Sequence, residues 1–189
     1  MPTNVELKAR IADADCLLAK AKALAESHVV FRQTDSYFRV PFGRLKLRES
    51  TADHSGTPCL SGELIFYDRA DVDGPKLCKY EKQTFQDHSE AVGIKKVLAT
   101  SLGIKAVVTK TRHLLIVGQT RVHVDTVQNL GNFMELEVML KENQTTEEGQ
   151  QIANDLRSKL GVDTKDFIEC SYVDLLLQHM SNEMPSATK

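Results

Sequence analysis

Apolar and polar residues alternate strictly from Asn4 to Ile11. Val5, Leu7, Ala9 and Ile11 share one face and Asn4, Glu6, Lys8 and Arg10 the other, which is the period of a β-strand. The period then changes. Leu17, Leu18, Ala21, Leu24 and Ala25 recur at helical spacing behind Asp13 or Asp15 as N-cap, predicting a helix to about Glu26. A strand follows over Val29–Val40, closed by a Pro41-Phe42-Gly43 turn. A short strand comes next, with Arg44, Lys46 and Arg48 opposite Leu45 and Leu47. Ser50–Ser61, which holds Gly56 and Pro58, reads as a loop. Gly62–Arg69 and Leu77–Phe85 are predicted strands around an Asp71–Pro75 turn, and Ser89–Leu102 a helix ending at Gly103.

The stretch Ile104–Leu140 is β-rich and divides into about three or four strands, with turns at Gly118-Gln119 and Asn129–Gly131. Within it Arg121, His123 and Asp125 alternate with Val122 and Val124, and Glu135 and Glu137 with Met134, Leu136 and Val138. Thr145–Glu148 has the form of a capping box for a helix ending near Leu160-Gly161, and a last helix is predicted over Phe167–Met180. Residues 1–180 read as a single domain and 181–189 as a flexible tail.

A hydrophobic share of 41% and a charged share of 26% suit a globular chain, and 189 residues can bury a core of their own. A net charge of −2 argues against coating nucleic acid, and no apolar run is long enough to cross a membrane as a helix. Cys16, Cys59, Cys78 and Cys170 form no CxxC pair; without a secretory apolar segment they read as reduced thiols of a cytoplasmic protein.

Charge is instead sorted locally. A solvated sheet face accounts for any one charged strand alone, but Arg44, Lys46 and Arg48 put three cations in a row. Like charges crowded on a sheet repel, so such rows need anions beside them. Glu6, Glu135 and Glu137 supply some, and a polyanionic ligand would supply the rest. Lys and Arg donors suit phosphate oxygens, while carboxylates two residues apart suit a hard cation. Acid and base interleaved on one sheet therefore point to metal-bound polyphosphate.

At these residues the sequence resembles the CYTH family, the triphosphate tunnel metalloenzymes. Asn4–Arg10 is similar to the family's ExExK strand, and Gly43–Glu49, Leu64–Tyr67, Lys110–Arg112, Thr120–Asp125 and Phe133–Glu137 follow in the family's order. The branch most similar is the class IV adenylyl cyclase-like one. The resemblance implies an α+β fold: a closed antiparallel β-barrel of about eight strands, a two-ended charged tunnel inside and helices packed outside. It implies triphosphate contacts from Lys8, Arg10, Arg44, Lys46, Arg48, Lys110, Arg112 and Arg121, with Arg69 and His123 in a second tier. Lys8 and Arg48 are the expected catalytic residues. Glu6, Glu135 and Glu137 are expected to hold Mg²⁺ or Mn²⁺, with Asp125 and Glu63 as further candidates. Asp35 and Tyr37 match a family block too. One departure is Asn4, where the motif has its first glutamate.

The implied reaction is hydrolysis of tripolyphosphate or an organic triphosphate such as ATP or thiamine triphosphate. Alternatives are cyclisation of ATP to cyclic AMP and pyrophosphate, and a non-catalytic polyphosphate- or nucleotide-binding module. Every contact legible in the sequence is to the phosphate chain, and none specifies adenine. The expected partners are small triphosphates, neither nucleic acid nor membrane, in a monomer or homodimer.

Overall fold

Strands with one apolar and one charged face satisfy both at once when they close on themselves, charge inward. The computed structural model, which describes residues 3–54, 57–68, 75–85 and 87–183, shows this closure. The elements in chain order are β1 (Thr3–Arg10), α1 (Ala14–Leu24), β2 (Ser27–Phe38), β3 (Arg44–His54), β4 (Thr57–Asp68), β5 (Lys76–Phe85) and α2 (His88–Leu102). They continue with β6 (Ile104–Val117), β7 (Thr120–Val127), β8 (Gly131–Met139), α3 (Thr146–Leu160) and α4 (Tyr172–Glu183). The strands form one closed barrel in the order β1-β5-β4-β3-β2-β6-β7-β8, every pairing antiparallel.

The aliphatic faces point outward and meet helices. Val5, Leu7, Val122, Leu136 and Val138 pack against Leu17 and Ala21 of α1 and Ala153, Leu156 and Leu160 of α3. Leu45, Leu47 and Leu64 pack against Ala91, Leu98 and Ala99 of α2. The helix ends follow the sequence signals: Asp13 caps α1, and Thr145 and Glu148 complete the capping box of α3. A further cluster lies inside the barrel, where Tyr37, Ile65, Tyr67, Val108, Val127 and Phe133 surround Tyr172 and Val173 of α4. The start of α4 thus fills one end of the lumen.

Three boundaries differ from expectation. Ser50–Ser61 is no loop: β3 runs to His54 and β4 starts at Thr57, with Ser50 opposite Ser61 and His54 opposite Thr57; Gly56 lies outside the described residues. Pairing with β2 on the other side, through Val30 and Asp53, makes β3 a doubly bonded strand and outweighs the local turn composition. The last helix starts at Tyr172 rather than Phe167. The chain before it instead lies along β1, with Phe167 bridged to Ala9 and the Ile168 N–H donating to the Lys8 carbonyl (3.0 Å). α4 also continues through Ser181–Glu183, into the stretch read as tail; the rest of that stretch lies outside the described residues. No helix among the described residues is long and apolar enough to cross a membrane.

Two glycines test the outer packing. A Cβ on Gly62 would collide with the Ala91 side chain of α2, whereas one on Gly93 meets nothing within 4 Å. Gly62→Ala should destabilise the protein by about 1–3 kcal/mol through overpacking. Gly93→Ala, within α2, should stabilise it by about 0.5–1 kcal/mol. Urea unfolding of both variants reads the opposite signs.

Candidate active site

Strand parity carries the charged residues into a lumen of about 560 Å³. Cross-strand register arranges them in rows. Glu6 on β1 stands opposite Glu137 on β8, which stands opposite Arg121 on β7. Lys8, Glu135 and His123 form the next row, and Arg112 on β6 faces Asp125 on β7. On the far side Asp35 on β2 faces Arg48 on β3, which faces Glu63 on β4.

Two buried carboxylates organise the cations. Asp35, 1% exposed, accepts from Arg48 Nε and Nη2 (both 2.7 Å), Lys110 Nζ (2.9 Å) and Lys46 Nζ (3.2 Å). Burial alone would raise the Asp35 pKa, but Arg48, Lys110 and Lys46 overcome it and hold the carboxyl well below its usual value. The lysines pay for the crowding. Burial, reinforced by neighbouring guanidinium groups and only partly offset by Asp35, lowers Lys110 to about 7 and Lys46 to about 8.

The second carboxylate is Asp125, fully buried. Arg112 donates to it through Nε (2.7 Å) and Nη2, and through Nη2 also to Glu135 Oε2 (2.7 Å). The Tyr172 hydroxyl donates to Asp125 Oδ2 (2.9 Å), tying α4 to the same arginine. Lys8 Nζ lies 3.5 Å from Glu135 and 4.1 Å from the Tyr172 ring centroid. Burial would raise the Glu135 pKa, but Lys8, His123 and Arg112 keep it well below the usual glutamate value. His123 Nδ1 stands 3.7 Å from Glu135 Oε2, too far for a hydrogen bond, and has no hydrogen-bond partner.

A third group could accept a cation. The Asn4 amide donates to Glu137 Oε1 (2.6 Å), while its own carbonyl oxygen is buried and unpartnered. Asn4 and Glu6 share a face of β1, with Glu137 adjoining on β8. Among the described residues no three His, Cys, Asp or Glu side chains are gathered as a ready metal cluster. The donor set still fits a hard ion that takes one or two carboxylates, a neutral carbonyl oxygen and the rest of its shell from phosphate.

Of the residues expected at the site, Glu6, Lys8, Lys46, Arg48, Glu63, Lys110, Arg112, Arg121, His123, Glu135 and Glu137 line the lumen, as do Asp35 and Tyr37. Three do not. Arg10 is exposed, donates to the Leu130 carbonyl (2.8 Å) and lies over the Phe133 ring. Arg44 pairs with Asp174 of α4 (2.7 Å). Asp125 sits behind Arg112 as its anchor and does not line the cavity. Arg69 lies outside the described residues. The sequence reading missed Gln33, Tyr67, Tyr80 and Tyr172 in the lining. Gln33, two residues before Asp35 on β2, was accessible to parity; Tyr172 was not, because only the tertiary return of α4 brings it in.

The CYTH domain family matches this chain over residues 2–172. No curated protein matches. Among solved structures, a protein of Pyrococcus horikoshii is similar at 23% identity and a TM-score of 0.72, over 93% of this chain and 98% of its own. A candidate adenylate cyclase of Vibrio parahaemolyticus is similar at 19% identity and a TM-score of 0.73, over 93% and 98%. A candidate adenylyl cyclase of Hippeastrum, described as having a dominant triphosphatase activity, is similar at 10% identity and a TM-score of 0.57, over 97% and 98%. These likenesses establish the fold.

The buried charges set the pH dependence of stability. Lys110 and Lys46 lose protons near pH 7 and 8 in the fold but near 10.5 when unfolded. The unfolded chain therefore binds more protons between these values, and stability should rise with pH from about 7 towards 10. Asp35, Asp125 and Glu135 act at the other end. Their stabilisation is present above the unfolded carboxylate values of 3.8 and 4.5 and is lost as pH falls through the lower folded ones. Urea midpoints should climb above pH 7 and collapse below about pH 4. Lys110→Met should flatten the alkaline climb, and an unchanged slope would exclude Lys110 as its source.

Proposed function

Because the chain belongs to the CYTH family, we propose that it is a metal-dependent phosphoryl-transfer enzyme that holds a triphosphate in the barrel and hydrolyses it, releasing inorganic phosphate. The observation that carries this reading is the convergence of Lys8, Lys46, Arg48, Lys110 and Arg112 on one enclosed cavity. Such a set meets the oxygens of a polyphosphate from several sides.

Phosphoryl transfer asks a protein for positioning and charge neutralisation more than for covalent chemistry. Asp35 and Asp125 fix the cations before substrate arrives, so little reorganisation is left to the reacting complex. Arg48 and Arg112 each use one edge on a carboxylate. Lys8, between Glu135 and the Tyr172 ring, and Arg48 are assigned as the catalytic pair that neutralises charge developing on the transferred group. Glu6 and Glu137, with the Asn4 carbonyl oxygen and Glu135 nearby, would hold the Mg²⁺ or Mn²⁺. When bound, the ion supplies phosphate charge neutralisation and Lewis acidity. Arg112 and His123 flank Glu135 and set how far it can turn towards a ligand.

The direct test is incubation with tripolyphosphate, ATP and thiamine triphosphate, each with Mg²⁺ or Mn²⁺, and identification of the products. Inorganic phosphate should be released, and chelator should abolish turnover. Lys8→Ala and Arg48→Ala should each lower kcat/KM by about 10²-fold or more, in similar proportion for every substrate. Glu137→Gln should act chiefly by weakening metal dependence. Cyclic AMP and pyrophosphate from ATP, with tripolyphosphate untouched, would assign the protein as a cyclase. Binding without any product would leave only a binding module.

A further inference from the structure

One wall of the lumen breaks the charged pattern. Phe31 on β2 and Leu114 and Ile116 on β6 face the cavity, and each is only half-buried. Register sets Phe31 beside Arg112, with Leu114 and Ile116 one and two steps further along the same face of β6. Leu114 stands level with His123, and Ile116 with Arg121, which is 45% exposed. This wall therefore lies above the phosphate-binding cations, on the side away from the apolar cluster under α4.

Lumen-facing apolar surface left wet costs about 25 cal/mol per Å², which a ligand recovers by covering it. Phosphate covers it badly, because an anion against hydrocarbon loses hydration and gains nothing. Just below Phe31 lies a second unmatched group. Gln33, 7% exposed, donates to Ser50 Oγ (3.2 Å) while its buried amide oxygen has no partner. That oxygen calls for an N–H or O–H and repels a phosphate oxygen.

Building on the triphosphate reading above, we propose that Phe31, Leu114 and Ile116 form a subsite for the flat head group of an organic triphosphate. The head group is a heteroaromatic ring carrying at least one hydrogen-bond donor. A triphosphate held by Lys8, Lys110 and Arg112 has its inner end against Tyr172 and Phe133, so its substituent can extend only along the wall that Phe31 begins. Inorganic tripolyphosphate leaves that wall uncovered, which makes it the poorer substrate. The sequence hid this because Leu114 and Ile116 simply continue an aliphatic run.

The test compares kcat/KM for ATP, thiamine triphosphate, methyl triphosphate and tripolyphosphate on the full-length protein. At least one ring-bearing substrate should exceed methyl triphosphate by about tenfold or more, the range a small hydrophobic pocket delivers. Phe31→Ala should reduce that ratio about tenfold, whereas Phe31→Trp should keep it. Thermal melts show whether each variant is folded, and the ratio removes any loss common to all substrates. Equal kcat/KM across the four substrates, or a ratio unmoved by Phe31→Ala in folded protein, would overturn the subsite and leave the triphosphatase reading standing. Absence of turnover and of binding for all four would instead defeat the triphosphate reading itself.

Discussion

The lumen can exist only because its positive charges are held by carboxylates buried among them. Asp35 carries three cations and Asp125 anchors a fourth, Arg112. Without these anions, five cations would share a poorly solvated space, and burial would cost several kcal/mol per ion. With them the cavity is still short of negative charge, since Lys8, Lys46, Arg48, Lys110 and Arg112 face only Asp35, Asp125 and Glu135 at close range. The depressed lysines register that shortfall. A polyanion relieves it. Affinity for a multiply charged ligand is therefore a property of the folded barrel before any single contact is considered.

The same constraint explains the rest of the architecture. A charged interior cannot provide a hydrophobic core, so the core moves outside, between strands and the helices α1, α2 and α3. The only apolar packing inside lies at the end filled by α4, where Tyr172 turns its hydroxyl to Asp125 and its ring towards Lys8. Asp174, on the next turn of the chain, takes Arg44. α4 thus joins the barrel by exploiting its charges rather than by covering an aliphatic face.

How much of this was legible follows from what strand parity encodes. Parity decides which face a residue occupies, and it placed Glu6, Lys8, Lys46, Arg48, Glu135 and Glu137 inside correctly. It does not decide height along the barrel axis. Arg10 and Arg44 share the inward parity of their neighbours, yet both stand at the α4 end, where Leu130, Phe133 and Asp174 take them. The Ser50–Ser61 hairpin failed for a different reason: its strand character comes from partners on both sides, which local composition does not carry. Likewise Tyr172 reaches the site through a partner 47 residues away in sequence.

Asn4 shows how far the charge balance governs individual residues. A glutamate there would set a third carboxylate beside Glu6 and Glu137, at a position with no solvent exposure. The nearest counter-charge to Glu137 is Arg121, itself 45% exposed and 3.2 Å away. Three clustered carboxylates so weakly opposed would raise one another's pKa values until a cation arrived. Asparagine removes that repulsion and turns the position into a donor, since its amide holds Glu137 while its carbonyl stays available. The substitution therefore exchanges metal affinity for a site that is stable when empty. It also leaves Glu137 oriented by a neutral neighbour, so the acidic wall keeps its shape whether or not an ion is present.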